Sequence, residues 1–249
     1  MAGTSALRWL DPLLDLVFPA ICPVCQSRSD DPPHRPFCGT CWAALPRVAA
    51  PVCARCGAGY PGLGAGLVCD ACRRAPPPYA FARAVAEYRA GMRLAIHALK
   101  YGPRPALAAP LGAFLAEAGA RLLPAPPGDL VDALVPVPLH PARQAARGFN
   151  QAELLAVPCA ARWGLPVFRR ALRRARPTPP QTALDAAARR QNVAGAFLVA
   201  RPAQIAGRRL LLVDDVLTTG ATAGAAASAL LAAGAAQVGV LVVAHVGER

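Results

Sequence analysis

The spacing of the cysteines constrains the fold of this chain more than any other feature of its sequence. Eight of the nine cysteines form four CxxC pairs, and each cysteine of the first two pairs recurs 31 positions later. Two residues between paired thiolates form a tight turn that lets both sulfurs reach one tetrahedral zinc ion at about 2.3 Å. The sequence therefore predicts two structural four-thiolate zinc sites. Their ligands are Cys22, Cys25, Cys38 and Cys41 in the first site and Cys53, Cys56, Cys69 and Cys72 in the second.

Two other arrangements of these cysteines remain open at this point. Alternate pairs can share an ion in a cross-braced arrangement, and a disulfide scaffold is typical of small secreted domains. However, Asp11, Pro12 and Asp15 interrupt the apolar N-terminal run, so we expect no signal peptide. Regular CxxC pairs without a signal favour zinc and a cytoplasmic location. His34 is expected in a loop, and Cys159 is expected to be a small buried residue.

Downstream of the cysteines, strand-like and helix-like segments alternate. Short apolar runs predict strands at Ala84–Tyr88, Ala133–Val137, Leu210–Val213 and Val238–Ala244. Helices are predicted at Met92–Lys100, Leu107–Leu122, Asn150–Trp163 and Thr222–Ala233. Pro158 is expected to kink or split the third of these helices. The alternation predicts an α/β fold in which helices flank a parallel sheet.

The segment Arg73–Pro78 (RRAPPP) is rich in proline and is predicted to link two parts of the chain. The predicted organisation is a short amphipathic lead-in (1–21), a zinc module (22–72), the linker (73–78) and an α/β domain (79–249). Apolar residues make up 55% of the chain, enough for a large core, and no run reaches the roughly 18 residues of a membrane span. The formal charge of +13 favours an anionic partner, but an excess of arginine over the single lysine indicates a compositional bias.

The segment Leu210–Leu231 (LLLVDDVLTTGATAGAAASALL) is the strongest candidate for a ligand site. Four apolar residues predict a buried strand that ends at Asp214 and Asp215, and a Thr/Gly-rich loop (Val216–Thr222) then leads into a helix. Ligands of open α/β sheets bind beyond the carboxyl ends of the strands, where a helix N-terminus offers N–H groups to phosphate. The acids are expected to accept hydrogen bonds from sugar hydroxyls, with solvated strand-end caps as the alternative. The predicted phosphate-binding residues are Thr218, Thr219, Gly220, Ala221 and Thr222.

This segment resembles the phosphoribosyl-pyrophosphate motif of type I phosphoribosyltransferases, and the whole chain resembles the ComF family of competence-related proteins. The features of that family recur here in order. They are the cysteine module, IHALKYG (Ile96–Gly102), VPVPLHPARQAARGFNQAELLA (Val135–Ala156), RARPTPPQTAL with RRQNVAGAF (Arg174–Phe197), and the phosphate motif. The resemblance implies a double zinc ribbon joined to a type I phosphoribosyltransferase-like domain that binds phosphoribosyl pyrophosphate and Mg²⁺.

Further candidate residues flank the motif. The resemblance implies a pyrophosphate-binding loop at Leu139–Arg143, which includes His140, and Arg143 and Arg147 are suited to neutralising pyrophosphate. A surface turn with solvated arginines is the alternative. Lys100 ends a predicted helix, where it is either a site residue or an ordinary C-terminal charge. The candidate catalytic residues are Asp214, Asp215, Lys100 and Arg143.

The segment Arg169–Arg176 holds five arginines in eight residues, and a Pro/Thr/Gln-rich stretch follows it through Arg190. It is predicted to be too polar for the core, and it resembles the flexible loop of glutamine amidophosphoribosyltransferases that closes over substrate. A nucleic-acid-binding arm is the alternative. Two functions follow from the resemblance. One is Mg²⁺-dependent phosphoribosyl transfer with release of pyrophosphate. The other is a non-catalytic role in DNA uptake, with single-stranded DNA and a helicase-like protein as partners.

Overall fold

A four-stranded parallel sheet lies at the centre of the computed structural model, which describes residues 19–29, 31–59, 66–102, 104–176 and 195–247. The strands are β1 (Phe81–Glu87), β2 (Ala133–Pro136), β3 (Leu172–Arg174), β4 (Phe197–Val199), β5 (Arg209–Leu217) and β6 (Gln237–His245). The sheet has the order β1-β6-β5-β2, and every neighbouring pair is parallel. Strands β3 and β4 form a separate antiparallel pair.

The helices cover both faces of this sheet. They are α1 (Gly39–Ala43), α2 (Asp70–Arg74), α3 (Ala90–Tyr101), α4 (Ala108–Leu122), α5 (Pro127–Leu130), α6 (Pro141–Arg147), α7 (Gln151–Trp163), α8 (Pro202–Ile205) and α9 (Ala221–Ala232). Short 3₁₀ turns occur at Pro32–His34 and Pro105–Leu107. Within the described ranges, none of these helices has the length and apolar content needed to cross a membrane.

Two apolar cores lie on opposite faces of the sheet because side chains alternate along each strand. Leu211 and Val213 of β5 face a core that includes α3, α4 and α7. Leu210 and Leu212 face a second core, formed with α8, α9 and the β3–β4 pair. Burial on both faces explains why the sequence of β5 reads as a continuous apolar run.

The predicted α/β fold is confirmed, and the four predicted strands and four predicted helices are all present. The end of β5 differs from the prediction. This strand pairs with β6 as far as Leu217, which lies opposite His245, so Asp214 and Asp215 lie within the strand and not at its end. The predicted loop at 216–222 is correspondingly shorter, and we call the three residues Thr218–Gly220 the phosphate loop.

Two boundaries at prolines also differ from the predictions. Helix α7 is continuous through Pro158, so the predicted split does not occur. The ring of this proline packs on α4, where a Cβ atom on Gly112 would lie only 2.7 Å from its Cγ. Helix α2 continues to Arg74, two residues into the predicted linker. Most of the predicted lead-in (residues 1–18) lies outside the described residues.

The cysteine-rich part packs along the outer edge of β1. The N–H of Ala82 donates to the carbonyl of Arg55 (2.7 Å), and the N–H of Val48 donates to the carbonyl of Val85 (3.2 Å). The guanidinium of the buried Arg83 donates to the carbonyl of Ala54 (3.0 Å) and, from Nε, to that of Leu122 (2.9 Å). These bonds satisfy backbone groups that an edge strand would otherwise leave open.

Candidate functional site

The eight predicted zinc ligands form two clusters, one from each repeat: Cys22, Cys25, Cys38 and Cys41, and Cys53, Cys56, Cys69 and Cys72. In each cluster the four Sγ atoms lie within 4.8 Å of one another. The Sγ atoms of Cys25 and Cys38 are 3.7 Å apart, and those of Cys56 and Cys69 are 3.8 Å apart. Four sulfurs bound to a tetrahedral zinc ion stand about 3.8 Å apart. Both clusters therefore fit structural zinc, with sequential and not cross-braced grouping.

The two clusters differ in their exposure to solvent. In the first, Cys25 is exposed, whereas in the second Cys53, Cys69 and Cys72 are buried. All nine cysteines lie in the described part of the chain and are free thiols. The ninth, Cys159, is fully buried as expected, and burial raises its pKa to about 12.

His34 is not part of the first cluster. Its Nδ1 lies 2.8 Å from Asp31 Oδ2, and its ring stacks on Trp42 with 4.6 Å between centroids. The 3₁₀ turn that holds His34 therefore packs against α1 and braces the first ribbon without supplying a metal ligand.

The acid pair near the end of β5 is the centre of the candidate ligand site. Asp215 is buried, and its Oδ1 lies 2.8 Å from Nζ of Lys100 at the end of α3. Its Oδ2 is buried and accepts no hydrogen bond from the described residues. Asp214 is half-buried, and its Oδ1 accepts from the N–H of Asp215 (2.8 Å). The structure thus brings together three of the four predicted catalytic residues and leaves one acceptor oxygen open.

The electrostatics of the pair follow from burial and from close like charges. Burial and the negative charge of Asp215 together raise the pKa of Asp214 to about 7, whereas Lys100 and Arg174 oppose the change. Burial lowers the pKa of Lys100, but the neighbouring Asp215 more than offsets this, so that the pKa is raised overall. Lys100 therefore stays cationic beside a carboxyl group, Asp214, whose pKa lies near neutral pH.

The phosphate loop joins the acid pair to helix α9. Gly220 is the N-cap of α9 and has φ 75°, a left-handed conformation that favours glycine. Thr218 and Thr219 are exposed, Ala221 begins the helix, and Thr222 lies half-buried in its first turn. A small depression, open to solvent, is lined by Asp214, Thr218, Gly220, Ala221 and Thr222 among others. The N–H groups of a helix's first turn have no partner within the helix and can bind an anion.

The predicted pyrophosphate segment forms helix α6. His140 is its N-cap and accepts a hydrogen bond from the N–H of Ala142 (3.3 Å), so its side chain has a capping role. Leu139 before it is buried. Arg143 lies in the first turn, close enough to Arg174 to lower that residue's pKa. Arg147 donates to Gln151 Oε1 (2.5 Å) and lies over the ring of Tyr101.

Arg174 lies near the site, although its arginine-rich segment predicts a polar loop. The prediction that the segment Arg169–Arg176 is too polar for the core is wrong for Leu172 and Arg174, which are buried in β3, and holds for the exposed Arg173 between them. Arg174 pairs with Phe197 of β4, with its guanidinium 5.5 Å from the centre of the Phe197 ring. Burial lowers its pKa, Arg143 lowers it further, and Asp214 raises it. The sequence carries no local signal of this burial because the partner strand lies more than twenty positions downstream. The stretch 177–194 lies outside the described residues.

Two family models match the chain. A double zinc ribbon domain matches residues 13–73, and a phosphoribosyl transferase domain matches residues 142–249. The first contains all eight cysteines of the two clusters, and the second contains α6, the acid pair and the phosphate loop. Fold and site together therefore define a protein in which a double zinc ribbon is joined to a phosphoribosyltransferase domain.

Similarity to curated relatives identifies the family within this class of proteins. The chain is 35% identical over 209 residues to the "DNA utilization protein YhgH" of Salmonella typhi, which covers 83% of this chain and 89% of the relative. It is also 35% identical over 207 residues to the protein of the same name from Escherichia coli (strain K12). The "Competence protein F" of Haemophilus influenzae is 42% identical over 94 residues, 37% of this chain and 41% of the relative. The chain belongs to the ComF family.

Proposed function

We propose that this protein binds phosphoribosyl pyrophosphate with Mg²⁺ at the carboxyl end of β5 and transfers the phosphoribosyl group to an acceptor. The observation that supports this most directly is Asp215. Its Oδ1 contacts Lys100, and its Oδ2 is buried without a partner among the described residues. A buried acceptor left unpaired destabilises a folded protein by about 1–3 kcal/mol. A ribose hydroxyl bound at this place donates the missing hydrogen bond.

Hydrogen-bond donors and positive charges lie around Asp215 where phosphoribosyl pyrophosphate would need them. The phosphate loop and the first turn of α9 offer N–H groups to the 5-phosphate. Arg174 is close enough to both Arg143 and Asp214 for their charges to change its pKa, so two guanidinium groups stand near this acid. Two guanidinium groups suit the pyrophosphate, because arginine makes bidentate contacts with phosphate oxygens.

The proposed reaction forms a bond between an acceptor nucleophile and C1 of the ribose. The bond from C1 to the pyrophosphate oxygen breaks, and its electron pair leaves with pyrophosphate. The carboxylate of Asp214 would hold Mg²⁺, because it is the kind of oxygen ligand that this ion prefers, and the ion would supply charge neutralisation to the departing group. Lys100, Arg143 and Arg174 supply further positive charge, so positioning and charge stabilisation carry the catalysis.

We further propose that both cysteine clusters hold zinc and that the protein is cytoplasmic. Two sets of four thiolates at tetrahedral spacing support the first statement. Nine free thiols support the second, because the cytosol keeps thiols reduced.

Ligand-dependent stability tests the proposed site. Phosphoribosyl pyrophosphate with Mg²⁺ at 100 times its Kd should stabilise the folded chain by about 2.7 kcal/mol, seen as a higher melting temperature. Asp214→Ala/Asp215→Ala and Gly220→Val should each abolish that rise. Asp132→Ala is the matched control, because Asp132 pairs with Arg209 where β5 begins, at the opposite edge of the sheet. An unchanged rise in the acid-pair variant would refute the site. Pyrophosphate release with a panel of acceptors then tests catalysis.

A second candidate function is an accessory role in DNA uptake, with single-stranded DNA and a helicase-like protein as partners. The printed names of the relatives, DNA utilization protein and competence protein, favour it. So does the exposure of Arg170, Arg173 and Arg176 around β3. An exposed arginine cluster of this kind can contact a phosphate backbone without reading its sequence.

Arginine variants separate the two functions because the structure divides this cluster into exposed and buried members. Arg170→Gln/Arg173→Gln/Arg176→Gln should weaken single-stranded DNA binding and flatten its salt dependence by roughly 0.7 log units per lost contact. Arg174→Gln should instead weaken binding of phosphoribosyl pyrophosphate. If the triple variant binds DNA like the wild type across a salt titration, the accessory function loses its support. If it also loses ligand turnover, the exposed arginines belong to the catalytic site.

A further inference from the structure

Tyr79 connects the second zinc ribbon to the phosphate loop. Its side chain is buried, with only 3% of the residue exposed. The hydroxyl oxygen touches the loop at Gly220, where a Cβ atom would lie 2.9 Å from it. The residue before it, Pro78, packs on α9 at Gly224, where a Cβ atom would lie 3.6 Å from the proline Cδ. Two consecutive residues therefore support the loop and the first turns of the helix that follows it.

Charge on the second cysteine cluster also acts on this tyrosine. Burial raises the pKa of Tyr79, and charge on Cys56, Cys72 and Cys53 raises it further. This effect agrees with the backbone contacts that join the segment around Tyr79 to the second ribbon.

The backbone on both sides of Tyr79 is bonded to the knuckle of that ribbon. Arg55 donates from Nη2 to the carbonyl of Pro77 (3.3 Å) and accepts, at its own carbonyl, from the N–H of Ala82 (2.7 Å). Gly57 packs so closely on β1 that a Cβ atom there would lie 2.4 Å from the carbonyl oxygen of Ala82. The position of segment 77–82 is therefore set by residues Cys53–Gly57, which fold around the second zinc site.

The first ribbon packs against helices α3 and α4. Val24 packs against Gly91 at the start of α3, and Trp42 packs edge-to-face on Phe114 of α4. Because both ribbons have the same ligand spacing, loss of zinc from the first ribbon is a control for loss of zinc from the second.

We propose that Tyr79 is a positioning residue for the phosphate loop and that the second zinc ribbon holds it in place. Zinc at the second site and phosphate at the loop then strengthen each other's binding. This inference rests on the proposed function, since it concerns the same ligand site. Coupling between two sites is reciprocal, so the factor by which zinc improves ligand affinity equals the factor by which ligand improves zinc affinity. We expect a factor of roughly ten, within the usual range for coupled sites.

Calorimetry with phosphoribosyl pyrophosphate and Mg²⁺ tests the coupling on the full chain. Cys72→Ser and Cys41→Ser are matched variants, because the two positions are equivalent in the repeat and each removes one zinc ligand. Cys72→Ser should weaken ligand binding roughly tenfold, whereas Cys41→Ser should leave it unchanged. Equal effects of the two variants, or no effect of either, would overturn the inference.

Tyr79→Phe tests the contact itself and retains the buried ring, so the variant should fold and keep both zinc ions. It should bind the ligand several-fold more weakly, whereas a purely space-filling tyrosine would tolerate this change. Asp132→Ala, at the residue that pairs with Arg209 where β5 begins, is again the control. Zinc release to a chromogenic chelator gives an independent readout. Ligand should slow the release of one of the two zinc ions in the wild type and of neither in Tyr79→Phe.

The outcomes distinguish the two proposals. If the wild type fails to bind the ligand, the proposed function is refuted and the coupling with it. If the wild type binds, Asp214→Ala/Asp215→Ala does not, and Tyr79→Phe behaves like the wild type in affinity and zinc release, only the role of Tyr79 is refuted. If Cys72→Ser does not fold, the Tyr79→Phe measurements decide the matter alone.

Discussion

Replacing Asp214 by asparagine should stabilise the protein while it removes ligand binding. Burial and the charge of Asp215 raise the pKa of Asp214 from 3.8 to about 7. A carboxyl group whose pKa is higher in the folded state contributes stability that is fully present below the unfolded pKa. This contribution is lost as the pH rises through the folded pKa. Asparagine carries no charge at any pH, and its Oδ1 can still accept the hydrogen bond from the N–H of Asp215.

The expected gain follows from the size of the pKa change. A change of one pKa unit corresponds to about 1.4 kcal/mol of free energy. The rise from 3.8 to about 7 therefore lowers the free energy of unfolding by about 4 kcal/mol above pH 7. At pH 5.5 only part of that difference has developed, about 2 kcal/mol. Asp214→Asn should therefore exceed the wild type in free energy of unfolding by about 2 kcal/mol at pH 5.5 and about 4 kcal/mol at pH 8.5.

Urea unfolding followed by circular dichroism at the two pH values, without Mg²⁺ or phosphate, measures this difference. Asp132→Asn is a control of opposite sign, because Arg209 lowers the pKa of Asp132. Loss of the Asp132 carboxylate should lower the free energy of unfolding by less than about 1 kcal/mol, since the ion pair of Asp132 with Arg209 is partly exposed. The reasoning is refuted if Asp214→Asn is no more stable than the wild type at pH 8.5, or if its advantage does not grow between the two pH values.

Two further predictions concern the zinc module. Elemental analysis of the purified chain should find two zinc ions, and a chelator should remove the zinc of the exposed Cys25 cluster before that of the buried Cys53 cluster. Release at equal rates, or a chain without zinc, would contradict this. Arg83→Leu should destabilise the fold by roughly 3 kcal/mol, because it leaves the partly buried carbonyls of Ala54 and Leu122 without their donor. A loss below about 1 kcal/mol in urea unfolding would show that these carbonyls find other partners.

The parts of the fold that the sequence predicts well depend on local patterns. The CxxC pairs are close in sequence, and a tetrahedral ion leaves few ways to arrange them. The strand at Leu210–Val213 is a run of apolar residues because both faces of the sheet are covered. The full length of this strand cannot be predicted from the local sequence. It extends to Leu217 because β6 provides partners as far as His245.

Residues whose environment depends on distant parts of the chain were harder to place. The sequence alone does not distinguish a site residue from a helix-end charge at Lys100. Only the fold brings this residue to Asp215, which lies more than a hundred positions away in the sequence. Arg174 is buried because Phe197 covers it, which the arginine-rich local sequence hides. Arg83 lies in an apolar strand, and its hydrogen-bond partners are supplied by the second ribbon and α4. Charged residues buried by long-range contacts are therefore the ones that sequence patterns miss.

The same long-range contacts explain why zinc, fold and ligand site belong together in this protein. Phe37 and Leu45 of the first ribbon are members of the same apolar core as α4 and α7. Segment 46–57 bonds to the outer edge of β1, which a four-stranded sheet would otherwise expose. Free energy gained by zinc binding is folding free energy when the site does not exist in the unfolded chain. Because both ribbons pack on β1, that energy stabilises the sheet as well as the ribbons. The sheet in turn supports the acid pair, in which the raised pKa of Asp214 predicts that this carboxylate opposes folding at neutral pH.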